Sequence, residues 1–473
     1  MGATQKSTQL AVIGGGPGGY AAAFLAADLG MQVTLIDPEP NPGGVCLYRG
    51  CIPSKALLHL AKLVHETRAS SQWGLEFDPP RIVLDRMRAW KNQVVEKLTG
   101  GLGHLSAKRK VEFVRGRARL QDPRTTAVDL DGGGEMILAF DHAILATGSR
   151  PATLPFVPEG TSRVLDSSGA LDLPDIPGTL LVVGGGYIGL ELGSVYAALG
   201  SRVTVVEMEE SLLPGIDADL VRPLARRIER DMEAVWLKTK VASMEDAGSV
   251  LAVRFEGDHE GESEFDRALI AVGRRPNSEN LGLENTDVVV DGGFIEVDEQ
   301  MRTAEPTLFA IGDVVGQPML AHKASHEGRT AVEVIAGHPA AFEPAGIPAV
   351  VFTDPEVAWA GLTENEAKAR GIAHEVARFP WTASGRALTL GATEGVTKLV
   401  LEPESGRVLG VGLCGSGAGE LIAEGMLAIE MGATAEDLRL TIHAHPTLSE
   451  TLMESAEVFF GQSTHVYRPR KRA

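Results

Sequence analysis

The feature that most restricts how this chain can fold is a long internal repeat. Residues 10–37, LAVIGGGPGGYAAAFLAADLGMQVTLID, read as an apolar strand, a glycine-rich turn, an alanine-rich helix stopped at Gly30, and a second strand ending in an acid. Residues 180–207, LLVVGGGYIGLELGSVYAALGSRVTVVE, run through the same order without a gap. At a constant offset of 170 residues, Gly14, Gly16 and Gly19 map onto Gly184, Gly186 and Gly189, Gly30 maps onto Gly200, and Asp37 onto Glu207. A glycine-rich turn alone says little. Strand, turn, helix and terminal acid in one register, twice, specify two βαβ nucleotide-binding units.

The spacing has a mechanical basis. The first glycine makes the tight turn, the second lets the backbone approach a pyrophosphate, and the third lets helix and strand pack closely. The helix amino terminus offers unpaired N–H groups and a positive dipole end to the phosphates. The acid accepts hydrogen bonds from a ribose. Two such sites in one chain imply an electron path between two carriers. Glu207 is followed by Met208 and Glu209, with no cation placed to pair with a 2′-phosphate, so the second site favours NAD over NADP. A shorter echo, ATGSRP at 146–151 and AVGRRP at 271–276, ends an apolar strand in each half and puts Gly148 and Gly273 where the nucleotide units close.

Cysteine is scarce, three residues in 473, which excludes a secreted disulfide framework. Two of the three, Cys46 and Cys51, nevertheless stand close together in GGVCLYRGCIPSK at 43–55. Pro53 suits a first helical turn, and Leu57, Leu60, Leu63 and Val64 recur at helical spacing, which places Cys51 at a helix amino terminus. That position lowers a thiol pKa and makes the sulfur reactive. Gly43, Gly44 and Gly50 let the chain curl so that the pair comes within disulfide reach. Zinc is the competing reading, but it wants two more ligands, and Cys414 stands alone in GVGLCGSGAG. A redox disulfide fits better.

The remaining composition narrows the class. A length of 473 residues suggests roughly three domains. A net charge of -19 repels nucleic acid and anionic lipid. No apolar run approaches membrane-spanning length, and the amino terminus carries no secretory pattern. Lys6 occupies the place where a myristoylation motif wants Ser or Thr. The expectation is a cytoplasmic protein. The basic tail YRPRKRA, from residue 467, carries no core-forming pattern and is given no function.

GGVCLYRGCIPSK resembles the redox-active disulfide segment of the FAD-dependent pyridine nucleotide-disulfide oxidoreductases. The resemblance covers essentially the whole chain, through the two glycine units, TLFAIGDVVGQPMLAHKASHEG at 307–328 and HAHPTLSE at 443–450. It implies an α/β fold with two Rossmann-like dinucleotide-binding domains, a central domain and an α+β carboxyl-terminal dimerisation domain. The boundaries expected are 1–150 for FAD, 151–276 for NAD, 277–346 for the central segment completing the FAD site, and 347–473 for the interface.

The resemblance also implies residue roles. Asp313 would meet the ribityl or phosphate region of FAD, and the helix from Ala321 would point its amino terminus at the flavin ring. Lys55 and Glu191 would pair beside the flavin. His445 would be the base that deprotonates a substrate thiol across a homodimer interface, oriented by Glu450, with His443 structural. Read singly, a strand-end Gly-Asp is often a turn, a lone histidine is more often structural, and Lys55 or Glu191 is more often a solvated charge.

Within the family the combination is closest to the members that oxidise dihydrolipoyl groups and reduce NAD+. Their partners would be lipoyl-bearing domains of a 2-oxo-acid dehydrogenase complex, the glycine cleavage system or another lipoate-binding protein. The rivals are a glutathione-like or mercuric reductase, and a non-catalytic flavoprotein that binds lipoyl domains. Four departures stand out. Val45 replaces the usual Thr and puts one polar contact near the flavin in doubt. Tyr48 replaces Asn and predicts a bulkier rim beside the disulfide. Asp37 replaces Glu, and Tyr187, a lid over the nicotinamide pocket in glutathione reductase-like members, stands at an often aliphatic position.

Overall fold

The strands at Leu10–Ile13 and Leu180–Val183 are unbroken apolar runs, the pattern of a parallel strand covered on both faces. The structure, a computed structural model, describes residues 4–158 and 160–467 and builds a parallel sheet around each run. All but the first residue of the basic tail lies outside the described residues.

In the first sheet, Thr4–Ile13 lies between Val33–Asp37 and Glu135–Leu145, both parallel to it. Glu112–Asp122 joins beyond Val33–Asp37, and Leu308–Ala310 beyond Glu135–Leu145. Thr125–Leu130 runs antiparallel to the outer halves of Glu112–Asp122 and Glu135–Leu145. The segment expected as a central domain thus lends a strand to this sheet. Its helix, Ala321–Ile335, packs on the first nucleotide helix, Pro17–Asp28, and Ala331 and Val332 share one core with Val12, Ala22 and Leu35.

The second sheet has five parallel strands in the order Ala234–Trp236, Arg202–Val206, Thr179–Val183, Arg267–Ile270 and Val164–Leu165. The two short echoes become partners: Ser149–Pro151 and Arg274–Pro276 pair antiparallel and form the ribbon between the nucleotide units. The chain ends in a five-stranded antiparallel sheet backed by the helices Ala418–Glu430 and Glu450–Phe460. Trp381 is fully buried there, its indole N–H donating to Thr397 Oγ1 at 2.9 Å.

Charge fastens this last sheet to the second nucleotide unit. Lys398, on the strand Val396–Leu401, is 1% exposed and lies 2.8 Å from Asp217, 2.9 Å from Asp219 and 2.7 Å from Glu364. Asp217 and Asp219 open the helix Ala218–Asp231 of the second unit. A buried ammonium is tolerated only with such pairing. Among the described residues, no helix is long and apolar enough to cross a membrane.

Candidate active site

The two glycine turns fold to the same geometry for the reasons the spacing implied. Gly14 and Gly184 have φ of +110° and +109°, and a Cβ on either would lie 2.2 or 2.5 Å from the carbonyl oxygen of Ala146 or Ala271. A Cβ on Gly19 or Gly189 would strike the carbonyl of Gly14 or Gly184 at 1.8 or 2.2 Å. Gly16 and Gly186 face open space, with nothing within 4 Å of a Cβ. That is room for a pyrophosphate at the start of helices that no side chain caps. Each terminal acid is held in the same way. Asp37 accepts the N–H of Gly15 at 2.6 Å and of Glu39 at 2.9 Å, and Glu207 accepts those of Gly185 and Glu209 at the same distances. A carboxylate so held keeps lone pairs for ribose hydroxyls.

The first turn opens into a cavity of about 790 Å³ that runs from Asp37 past Gly16 to Cys46 and Cys51, and on to Gly148, Asp313 and Ala321. Cys51 begins the helix Cys51–Ala69, as its position before Pro53 predicts, and Cys46 lies on the preceding short helix Gly44–Arg49. Gly50 allows the close approach, since a Cβ there would sit 2.8 Å from the Val45 carbonyl and 3.1 Å from Cys46 Cα. Both cysteines are present as thiols that share a hydrogen bond. Donation from Cys46 pulls the Cys51 pKa down to about 7 against the effect of burial, with help from Lys55. The same bond, together with burial, pushes Cys46 up. Cys51 is therefore the thiolate of the pair.

Lys55, one helical turn beyond Cys51, reaches Glu191 on the helix Tyr187–Leu199 at 2.8 Å. Glu191 is 3% exposed and also accepts the N–H of Phe352 at 2.9 Å, while the Lys55 ammonium sits 4.6 Å from the Phe352 ring centre. Tyr187 lines the cavity and stands 42% exposed.

Two side chains that the sequence did not single out, Ser149 and Arg274, line the cavity, and a third, Glu327, braces it from behind. Ser149 donates its hydroxyl to Asp313, and Arg274 donates to the Ser149 hydroxyl and carbonyl, each at 2.7 Å. Arg274 and Ser149 belong to the paired SRP and RRP ribbons, so the echo was the available signal. Glu327 accepts the N–H of Gly312 at 2.7 Å and pairs with buried Lys323 at 2.6 Å, holding the turn that presents Asp313. The helix from Ala321 has no side-chain cap, and its first residue lines the cavity.

One expectation is corrected. Tyr48 does not thicken the rim of the disulfide. Two residues along a helix are about 200° apart, so Tyr48 faces away from the cavity and hydrogen-bonds Asn41 instead.

His445 and Glu450 come together, Nδ1 to Oε1 at 2.9 Å, and Glu450 also accepts the Thr447 N–H at 2.7 Å. Partial burial raises the Glu450 carboxyl, but the Thr447 N–H and then the His445 ring outweigh it and hold the pKa below its usual range. The His445 side chain is 76% exposed and does not line the cavity of its own chain. Leu427, Met431, Leu440 and Ile442 also stand exposed on this last domain. His443 is tied to Glu424 at 2.7 Å.

A thiol pair between a dinucleotide cradle and a second nucleotide unit defines a dinucleotide-dependent disulfide oxidoreductase. The pyridine nucleotide-disulphide oxidoreductase model matches residues 8–328, the dimerisation-domain model of the same family matches 347–456, and the chain belongs to that family. Its relatives include the dihydrolipoyl dehydrogenases of Vibrio cholerae, 49% identical with 96% of each chain covered, and of Geobacillus stearothermophilus, 45% identical with 97% of each covered. They place the chain with the dihydrolipoyl dehydrogenases, whose cofactors are FAD and NAD. Among solved structures, LpdA from Mycobacterium tuberculosis matches with a TM-score of 0.89 at 28% identity, covering 95% of this chain and 99% of that one. The HOCl-induced flavoprotein disulfide reductase RclA from Escherichia coli matches at 0.84 and 27%, covering 96% and 99%.

Proposed function

We propose that a homodimer of this chain oxidises protein-bound dihydrolipoyl groups and reduces NAD+, in the cytoplasm, where scarce thiols stay reduced. The observation that carries the reading is the Cys46–Cys51 pair, brought close by Gly50 and set in the cavity that the first glycine turn opens.

The residues present fit FAD. Asp37, Gly14, Gly16 and Gly19 would hold its ribose and pyrophosphate, and Gly148, Asp313 and the start of the helix at Ala321 its ribityl and ring end. Bound FAD supplies two-electron chemistry between the dithiol and NAD+. The second turn, Gly184, Gly186 and Gly189 with Glu207, would hold NAD+, with Tyr187 and Gly273 at its edge.

In the disulfide state, His445 of one subunit serves the Cys46–Cys51 bond of the other. Glu450 keeps a proton on Nδ1 of His445, so Nε2 is free to take a proton from a dihydrolipoyl thiol. The resulting thiolate attacks Cys46 Sγ, a lipoyl–Cys46 bond forms, and the Cys46–Cys51 bond breaks. Cys51 leaves as a thiolate, stabilised by its helix amino terminus and Lys55. The second lipoyl thiol, giving up its proton, attacks the mixed disulfide and releases Cys46 as a thiol and the lipoyl group as a cyclic disulfide. Glu191 keeps Lys55 in place and helps exclude water.

The test reconstitutes the chain with FAD and supplies a dihydrolipoylated domain with NAD+ or NADP+, beside glutathione disulfide and mercuric ion with NADH or NADPH. NADH formation that disappears in Cys46→Ser is expected. Yellow protein that reduces glutathione disulfide or mercuric ion but forms no NADH from the lipoyl domain would overturn the reading.

A further inference from the structure

The loop that follows Asp37 has the sequence Pro38-Glu39-Pro40-Asn41-Pro42-Gly43. With proline at every second position, its backbone has three N–H donors, and it cannot brace itself by a local turn network. All three are used, each by a different neighbour. Glu39 donates to Asp37 Oδ1 at 2.9 Å, Gly43 to the Gly15 carbonyl at 2.7 Å, and Asn41 to the Tyr48 hydroxyl at 3.2 Å. The Tyr48 hydroxyl donates in turn to the Asn41 carbonyl at 3.1 Å. Beside it, Arg49 pairs with Glu39 at 2.5 Å.

Tyr48 and Arg49 end the same short helix that carries Cys46. At its other end that helix lies on the phosphate turn: a Cβ on Gly44 would be 2.5 Å from Gly16 Cα. The chain thus closes a ring from glycine turn to ribose acid, to proline loop, to cysteine helix, and back. Tyr48 is the side chain that fastens the middle of the loop, through the backbone of Asn41.

We infer that Tyr48, assisted by Arg49, is a positioning residue for the dinucleotide of the first site. It fixes the loop that aims Asp37, and ties that loop to the helix bearing the reacting sulfur. Nucleotide retention and the placement of Cys46 are then set by one hydrogen-bonded unit. The inference rests on the reading that the first turn holds FAD.

Apoprotein titrated with FAD tests it, by flavin fluorescence for affinity and by the rate of flavin release after dilution. Tyr48→Phe keeps the ring and removes both hydrogen bonds. FAD affinity should fall about 3- to 10-fold, the worth of one or two neutral hydrogen bonds, with release correspondingly faster at temperatures where the FAD-free variant is still fully folded. Arg49→Leu should weaken FAD about 2-fold, as a part-exposed pair does, and Arg49→Lys less. Unchanged FAD affinity in Tyr48→Phe overturns the inference while leaving the first site as read. A loss that merely follows a lower melting temperature of the FAD-free protein also overturns it, making Tyr48 an ordinary brace. Failure of the unaltered chain to take up FAD would instead remove the reading beneath it.

Discussion

The two glycine turns grip in the same way, yet the protein builds different surroundings on them. Both acids take a glycine N–H at 2.6 Å and a second N–H at 2.9 Å. Around the first turn the chain is closed in. A Cβ on Gly18 would lie 2.9 Å from the Ala324 carbonyl, and one on Gly328 would lie 2.6 Å from the Gly18 carbonyl, so the helix Ala321–Ile335 rests directly on the nucleotide helix. Gly44 covers Gly16 from the other side. In the second unit, Ile188 stands at the place of Gly18, which rules out that approach, and Tyr187 and Met208 are exposed. Equal contacts to ribose and phosphate thus serve opposite ends. An enclosed turn suits a cofactor that stays, and an open one suits a nucleotide that must leave after each cycle.

The most damaging test exchanges the same residue in the two turns. Gly16 and Gly186 each face open space, so Gly16→Val and Gly186→Val should both fold. Gly16→Val should lose FAD on gel filtration and with it all turnover. Gly186→Val should stay yellow and raise the KM for NAD+, with kcat/KM down by about 10²-fold for a misplaced nucleotide. Loss of FAD from Gly186→Val would break the comparison outright.

A second test separates the thiol side from both turns. His445→Gln should slow dihydrolipoyl-dependent NADH formation by about 10²- to 10⁴-fold, the usual worth of a positioned base. Bleaching of the flavin by NADH, which uses only the two turns and the cavity between them, should change little. A parallel fall in both rates would remove His445 from the role proposed for it.

The units also differ in how they are fastened: the first by helix packing, the second by an apolar contact of Leu220 and Leu224 with the last sheet that is reinforced by the charges around Lys398. Lys398→Met leaves Asp217 without its cation, while Asp219 and Glu364 keep Arg378, and should cost about 3–5 kcal/mol of stability in denaturant titration. For Glu364, burial acts upward, but Lys368 and Lys398 outweigh it and hold the pKa down to about 2 from 4.5. A depressed carboxylate stabilises fully above its unfolded pKa. Its contribution should therefore persist above about pH 5 and fade as the pH drops from there toward 2, and Lys398→Met should flatten that acid limb.

What was legible in the sequence was what local spacing dictates. The turns, the acids and the cysteine at a helix start follow from the positions of Gly14, Gly184, Asp37, Glu207 and Pro53, because each effect acts over a few residues. Lys55–Glu191 and His445–Glu450 needed the family resemblance, and the structure brings each pair to hydrogen-bond distance. The chain from Arg274 through Ser149 to Asp313 was hidden because its links span 125 and 164 residues. Lys323–Glu327 and Lys398 were hidden for another reason: charge in a sequence reads as surface, and only the fold shows these buried and paired. For Tyr48 the family position predicts a bulkier rim, but which way a side chain leaves a short helix is set by the fold, and here it turns to Asn41.

The smallest expected effect lies in the cysteine pair, which nothing in the second unit matches. The Cys51 pKa of about 7 owes most to the Cys46 thiol donating to it, against burial, with Lys55 next. Thiolate absorbance of the reduced protein followed against pH should therefore show one midpoint near 7, rising with pH. Cys46→Ala removes the donor, so the midpoint should move up toward the ordinary thiol value of 9.0 by about one unit or more. Lys55→Met removes a smaller contribution and should move it less in the same direction. Reversal of that order would make the ammonium, not the neighbouring thiol, the main support of the leaving sulfur. The resting pair would then depend on the junction with Glu191 across the two nucleotide units, and not on the cysteine helix and the first turn alone.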